Sequence, residues 1–185
     1  GMMSGLTSPA RSWFDLGLTP RELEKCPGVR EWLGEIKRCL EEAFSASNVY
    51  STLHTFYQEI AVFGTAAFLL EEDPQKGIRC RPFTIGEYSL GTDALGRVNR
   101  FGREFFLTAP QMQESFGLKN LPPAIRQEAA QNRPARYHKI LHLIFPNPEF
   151  SKECLDNRHM AYSSVYLTET GHLLRQSGYR EFPVI

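Results

Sequence analysis

No stretch of about 18 consecutive apolar residues, the span an apolar helix needs to cross a bilayer, occurs in the sequence, so no transmembrane helix is expected. The first residues lack a basic segment followed by an apolar one, and no secretory signal is expected there. Gly1, ahead of Met2 and Met3, reads as a scar of tag removal. Cysteine is scarce: Cys26, Cys39, Cys80 and Cys154, with no C-x-x-C spacing among them. A chain of 185 residues buries a sizeable core without a disulfide framework. The sequence therefore points to free thiols in a reducing compartment, with Cys39 on the apolar face of a helix where free cysteine is commonly buried. The phosphate-binding loop G-x-x-x-x-G-K-[ST], the dinucleotide fingerprint G-x-G-x-x-G, the nucleophile elbow G-x-S-x-G and the zinc-protease motif H-E-x-x-H are all missing. Internal repeats and low-complexity segments are missing too. Hydrophobic residues at 42% and charged residues at 23% exclude a mainly disordered chain or a rod.

What is present is a polarity of charge. Residues 20–73 hold 5 basic and 10 acidic side chains, whereas 74–139 hold 11 basic and 5 acidic ones, within a net charge of zero. Such asymmetry marks a polyanion-facing surface, a contact between unlike faces of subunits, or two elements of opposite sign packed on each other.

The hydrophobic period changes along the chain. Residues 4–18 form an irregular lead in which Trp13 and Phe14 anchor the segment on the body of the domain. Thr19-Pro20-Arg21-Glu22 reads as a capped helix start, cut short by Pro27-Gly28. Val29, Trp32, Leu33, Ile36, Cys39, Leu40, Ala43 and Phe44 recur at steps of three and four, which predicts a helix over 29–45. Trp32, Leu33, Ile36 and Leu40 are expected to be buried against a second helix over 49–62, closed by Gly64. From Thr65 the period becomes two. Strands are predicted over 65–71, 78–83, 87–90, 97–107, 137–145, 160–167 and 173–184, with short helices over 110–116 and 122–131. The expected fold class is α+β: a helical hairpin (1–64), antiparallel strands (65–108), short helices (109–132), then strands with a terminal hairpin (133–185), the strands forming a small sheet or barrel. All of this is read as a single fragment of a longer chain.

Several residue groups invite chemistry. His138 and His142, four apart, would need a further ligand such as Cys154 or His159 to hold zinc. The apolar neighbours Leu141, Leu143, Ile144 and Phe145 make partly buried structural histidines the simpler account. His54 has Ser51, Thr55 and Glu59 near it in sequence, but helical spacing gives no reason for them to converge into a catalytic set. Glu71, Glu72 and Asp73 suit a cation or acid–base work less well than a solvated strand end that discourages edge pairing. Arg79, Arg81, Arg97, Arg100 and Arg103 lie in consecutive predicted strands with Phe83, Phe101, Phe105 and Phe106 interleaved. Were those strands to pair, several guanidinium groups would share one face. Phosphate contact, subunit contact and a solvated face remain open for them. The residues alone thus leave a structural or assembly protein, or an enzyme whose site is completed elsewhere. They imply no metal and no cofactor.

Five stretches carry a resemblance: Ser4–Phe14 (SGLTSPARSWF), Phe56–Ala66 (FYQEIAVFGTA), Arg81–Tyr88 (RPFTIGEY), His142–Asn147 (HLIFPN) and Ser177–Pro183 (SGYREFP). In this order they resemble the head-to-tail connector, or portal, proteins of short-tailed bacteriophages. Phe63-Gly64 followed by Ala66-Ala67 is a packing junction that lets helix and strand backbones approach closely. The resemblance implies a non-enzymatic structural role for a fragment covering the wing and part of the clip, without the family's N-terminal arm and helical C-terminal part. It implies assembly with other copies into a dodecameric ring at a capsid vertex of the virion, formed in the bacterial cytoplasm. It further implies partnership with terminase and with tail or adaptor proteins, and non-specific passage of double-stranded DNA, with no membrane involved. A stand-alone nucleic-acid-binding module using the arginine-bearing strands is the second reading. A hydrolase built around His54 or His138 is the third.

Overall fold

The computed structural model describes residues 2–131, 136–154 and 156–185. The tag scar at Gly1 and the boundary between the expected 109–132 and 133–185 segments lie outside the described residues. One compact unit comprises Gly1–Ile85 with Val184–Ile185, the other Gly86–Pro183. Their boundary falls inside the strand-rich segment 65–108.

The first unit begins with a short helix, α1 (Met2–Leu6), where an irregular lead was expected. Trp13 and Phe14 then pack on Phe44, with ring centroids 6.2 Å and 5.7 Å away, and anchor the lead as expected. The predicted capped helix near residue 20 is instead one 3₁₀ turn, Arg21–Lys25. Its N-cap residue is Pro20, and no side chain caps it. Helices α2 (Val29–Ala46) and α3 (Val49–Phe63) follow, close to their predicted bounds. Gly64, at φ 74°, takes the left-handed turn that closes α3, its N–H donating to Ile60 O at 2.9 Å.

The expectation for α2 fails in one respect. None of its residues is buried: Leu33, Ile36 and Leu40 are half-buried, Trp32 is 52% exposed and Cys39 is exposed. Its periodicity specifies an apolar stripe, but among the described residues no neighbour covers it fully. The small core here lies instead between α3 and a two-stranded antiparallel sheet, β1 (Ala67–Asp73) with β2 (Gly77–Phe83). Val49, Phe68 and Cys80 form its centre, with Phe44, Leu53, Phe56 and Ile78 against them. Asn48 acts as a surrogate strand on β2. Its Nδ2 donates to Cys80 O at 2.6 Å and its Oδ1 accepts from Cys80 N at 2.8 Å. On β1, Ile185 and Phe68 exchange two backbone hydrogen bonds of 3.0 Å, and Val184 bridges Leu69.

The second unit is a five-stranded antiparallel sheet in the order β3 (Tyr88–Thr92), β4 (Val98–Thr108), β5 (Tyr137–Pro146), β6 (Tyr162–Thr168), β7 (Leu173–Tyr179). The last strand ends at Tyr179, short of the predicted 184, and the chain leaves the sheet before Pro183. The β3–β4 turn uses Asp93, whose Oδ1 accepts from Leu95 N and Arg97 N at 2.8 and 2.9 Å, with Gly96 at φ 77° as the sequence leads one to expect. Between β4 and β5 lie α4 (Ala109–Phe116), a 3₁₀ turn at Leu118–Asn120 and α5 (Pro123–Ala130). Helix α4 opens on a capping box in which Thr108 N donates to Gln111 Oε1 at 2.9 Å.

Register decides which face is core. Phe105 pairs Ile140, which pairs Thr168, and His142 pairs Tyr166. On this side Ala109, Met112, Phe116, Leu121, Ile125 and Ala129 cover Ile140, Tyr166 and Leu174. The opposite side carries Arg100, Gly102, Glu104 and Phe106 of β4 beside Leu141, Leu143 and Phe145 of β5, and these last three remain half-buried.

Candidate functional site

The five arginines do not share a face, because their strands do not form one sheet. Strand β2 pairs with β1 only, while β3 and β4 belong to the five-stranded sheet. Arg79 and Arg81 project from the same side of β2, and each meets an acid across the hairpin. Arg79 Nε lies 3.7 Å from Asp73 Oδ2 and Arg81 Nη2 lies 3.4 Å from Glu71 Oε2. Asp73 also accepts the amides of Gln75 and Lys76 at 2.8 and 3.0 Å. Those two amides, with Arg79 and Lys76 adding attraction, hold its carboxyl below the ordinary aspartate value. The acids at 71–73 thus cap a turn and neutralise the neighbouring strand. Ion pairs at a solvated surface such as these contribute little to stability.

Arg97 follows the β3–β4 turn, exposed and without an ion pair among the described residues. Arg100 and Arg103 lie on opposite sides of β4. Arg100 Nη1 donates to Thr92 O at 3.4 Å. Arg103 faces the core side, its guanidinium 4.4 Å from the Phe105 ring centroid and its Nε donating to His142 Nδ1 at 3.4 Å. Of the interleaved aromatics, Phe83 and Phe101 are buried, Phe105 packs against the core, and only Phe106 is exposed. Side chains committed to a core cannot serve as a stacking platform for bases.

His142 is fully buried, stacked on Tyr166 at 4.0 Å between ring centroids and edge-on to Phe101. With Nδ1 accepting from Arg103, the ring proton sits on Nε2 and is donated to Ser164 Oγ at 3.0 Å. Both nitrogens are therefore engaged within the sheet. His138 Nε2 lies 2.8 Å from Glu128 Oε2 and ties α5 to β5. His159 pairs with Asp156 through Nδ1 and Oδ1. That contact is the largest cause of the Asp156 carboxyl lying below its ordinary value. Cys154 is exposed and free. Among the described residues, no group of three or more His, Cys, Asp and Glu side chains is placed to hold a metal ion.

His54 is exposed on α3. Ser51 Oγ donates to Asn48 O at 3.0 Å, Thr55 Oγ1 donates to Ser51 O at 3.4 Å, and Glu59 Oε2 accepts from Ile85 N at 3.2 Å. Each is turned to its own backbone partner, so the hydroxyls, the carboxylate and the imidazole do not converge. The Cys80 thiol is pushed up by burial, the reverse of nucleophile activation.

The structure also shows surface features that residue type alone did not point to. On the open side of the five-stranded sheet, Ser89, Gly91 and Gly102 leave a trough of about 650 Å³, walled by Arg100, Leu143 and Phe145. Glycine within a strand, which marks a close approach or an open floor, is the one local signal for it, and the expectations from sequence did not draw on it. A Cβ at Gly102 would lie 3.2 Å from Leu143 Cδ2, and one at Gly91 3.1 Å from Arg100 Cβ. The second feature is the uncovered stripe of α2 around Trp32. Among the described residues, no helix is long and apolar enough to cross a membrane.

The family model described as bacteriophage head to tail connecting protein matches residues 1–185. The portal protein of Salmonella phage epsilon15 is 36% identical over 188 residues, covering 100% of this chain and 34% of the relative. The probable portal protein of Bordetella phage BPP-1 is 35% identical over 185 residues, covering 98% of this chain and 33% of the relative. The chain thus spans about a third of the length of the curated relatives it matches. A match along the whole chain leads to one conclusion: the chain belongs to the bacteriophage head to tail connecting protein family.

Proposed function

We propose that this chain is a structural part of a phage portal. In this reading it contributes to the ring through which DNA is packaged and ejected and to which tail proteins attach, and it works without catalysis. The family match over residues 1–185 carries the reading. Two features of the structure are in keeping with it. Ser51, Glu59, His138 and His142, which invited catalytic or ligand roles, are engaged with backbone, a carboxylate or core neighbours. The chain also presents two unlike partly apolar faces, α2 and the open sheet side, and a ring of identical copies joins two different surfaces of each. In the virion such a chain sits at the portal vertex after assembly in the bacterial cytoplasm. Its partners are further copies of itself, expected to number twelve, with terminase, tail or adaptor proteins and the passing duplex.

DNA must slide through such a ring, so any contact from Arg97 or Arg100 is to phosphate and blind to sequence. The stand-alone nucleic-acid module gains nothing from the dispersal of the five arginines over two sheets. Negative-stain imaging of the full-length protein tests the proposal: rings with a central hole are expected. A uniformly monomeric full-length protein, or submicromolar sequence-selective duplex binding at about 150 mM salt, near physiological ionic strength, would overturn it.

A further inference from the structure

Helix α2 has an apolar stripe that the described residues leave partly uncovered. Trp32 is 52% exposed, with Cys39 exposed two turns on and Leu33, Ile36 and Leu40 only half-buried beside them. The exposed border of the stripe is acidic. Glu31 and Glu35 are one turn apart, are exposed, and form no ion pair among the described residues. The open side of the five-stranded sheet offers the complement. Its trough over Ser89, Gly91 and Gly102 has apolar walls in Leu143 and Phe145. Its rim carries Arg100, which donates to the carbonyl of Thr92 and forms no ion pair among the described residues, and the nearby hairpin end adds Arg97 and the exposed Leu95.

We propose that these two surfaces are one interface: the trough of one copy receives Trp32 from α2 of a neighbouring copy, with Arg100 and Arg97 meeting Glu35 and Glu31. This assignment rests on the connector reading above, and it names which surfaces make the repeated contact. Three observations select a second copy as the occupant. The two faces differ in kind, a helix stripe and a sheet trough, so the contact is heterologous, the type that closes rings. Their charges are opposite, and among the described residues none of the four groups has a carboxylate or cation of its own. The trough is of a size that takes a large side chain, and tryptophan and arginine are the residues most often found as anchors where protein surfaces meet. The glycines supply the remaining logic: a side chain at Gly102 or Gly91 would occupy the floor that the indole needs.

The test uses the full-length protein and reads assembly by sedimentation velocity across concentration. Trp32→Ala removes the anchor, Ser89→Trp fills the trough from an exposed position, and Arg100→Glu reverses the rim charge. Each is expected to raise the half-assembly concentration roughly tenfold or more. Circular dichroism is expected to stay unchanged, because these side chains are exposed. The double variant Glu35→Arg with Arg100→Glu is expected to recover most of the loss. Mixing Trp32→Ala copies with Ser89→Trp copies is expected to give 1:1 pairs, since one supplies an intact trough and the other an intact helix. Wild-type assembly by both Trp32→Ala and Ser89→Trp overturns the interface and leaves the connector reading standing. So does failure of both the charge swap and the mixed pair. If the unaltered full-length protein never assembles, the connector reading falls and the interface with it.

Discussion

In Gly86–Pro183 one sheet face meets α4 and α5 and buries Met112, Leu121 and Ile140 completely, whereas in Gly1–Ile85 the longest amphipathic helix buries none of its residues. Both regions carry clear hydrophobic periodicity, so the difference lies in what each pattern finds to pack against. The β4–β5 connection is long enough to hold two short helices directly over the strands that flank it, and the core is closed locally. Among the described residues, helix α2 has within reach the lead, the 3₁₀ turn, part of α3 and, near its C-terminal end, β2, and Trp32 and Cys39 of its apolar stripe stay in water. An amphipathic pattern specifies that a face exists; it does not specify that the same chain covers it.

The largest expected effect sharpens that contrast. Ile140→Ala should destabilise its unit by about 2–5 kcal/mol, the range for a fully buried side chain. Leu40→Ala should cost less, about 2 kcal/mol or under, in the isolated chain, because the leucine is only partly buried to begin with. Denaturation curves and amide exchange resolved by unit would check this, and equal losses would erase the distinction.

A smaller effect is expected at Asn48. Asn48→Ala strips the partner from both backbone groups of the buried Cys80 and should cost about 1–3 kcal/mol, with faster amide exchange at Cys80 and Arg81. Unaltered exchange there would mean that β2 needs no edge clamp and that the first unit is held by its small apolar core alone.

The smallest effect is one of pH, and it should appear in both units. The carboxyls of Asp73 and Asp156 lie below the ordinary aspartate value in the folded chain. Their contribution is therefore present above about pH 4, the unfolded aspartate range, and is lost as pH falls through the lower folded value. Amide exchange at Gln75 and Lys76 should quicken below that range beyond its intrinsic pH dependence, and Asp73→Asn should remove the transition. The β1–β2 turn would be independent of its carboxylate were the acid profile of the Asn variant the same.

Much of the order of elements is legible in the residues themselves. The α2 and α3 bounds, the strands β1 to β6, the Gly64 stop and the Asp93–Gly96 turn all follow from local signals: period, caps and residues that tolerate positive φ. The 3₁₀ turn at Arg21–Lys25 mimics a capped helix because Thr19 and Glu22 have the right spacing, but no helix long enough to cap follows them. The apolar neighbours of His138 and His142 point to a structural role, yet the partners that engage the two rings, Glu128, Arg103 and Ser164, are supplied by other elements.

Sequence alone settled much of what is local: the helices α2 to α5, the strands β1 to β6 and, through five ordered stretches, the family. Tertiary structure decided what depends on strand partnership. The alternation of residues 78–83 and 97–107 is the same whether these strands join one sheet or two. Only pairing showed that β2 ends in a separate hairpin, that Arg79 and Arg81 meet Asp73 and Glu71, and that Arg100 and Arg103 turn to opposite sides. Burial is likewise a property of neighbours brought together from a distance, which is why His142 disappears into the sheet while Trp32, on the strongest pattern in the chain, remains in solvent.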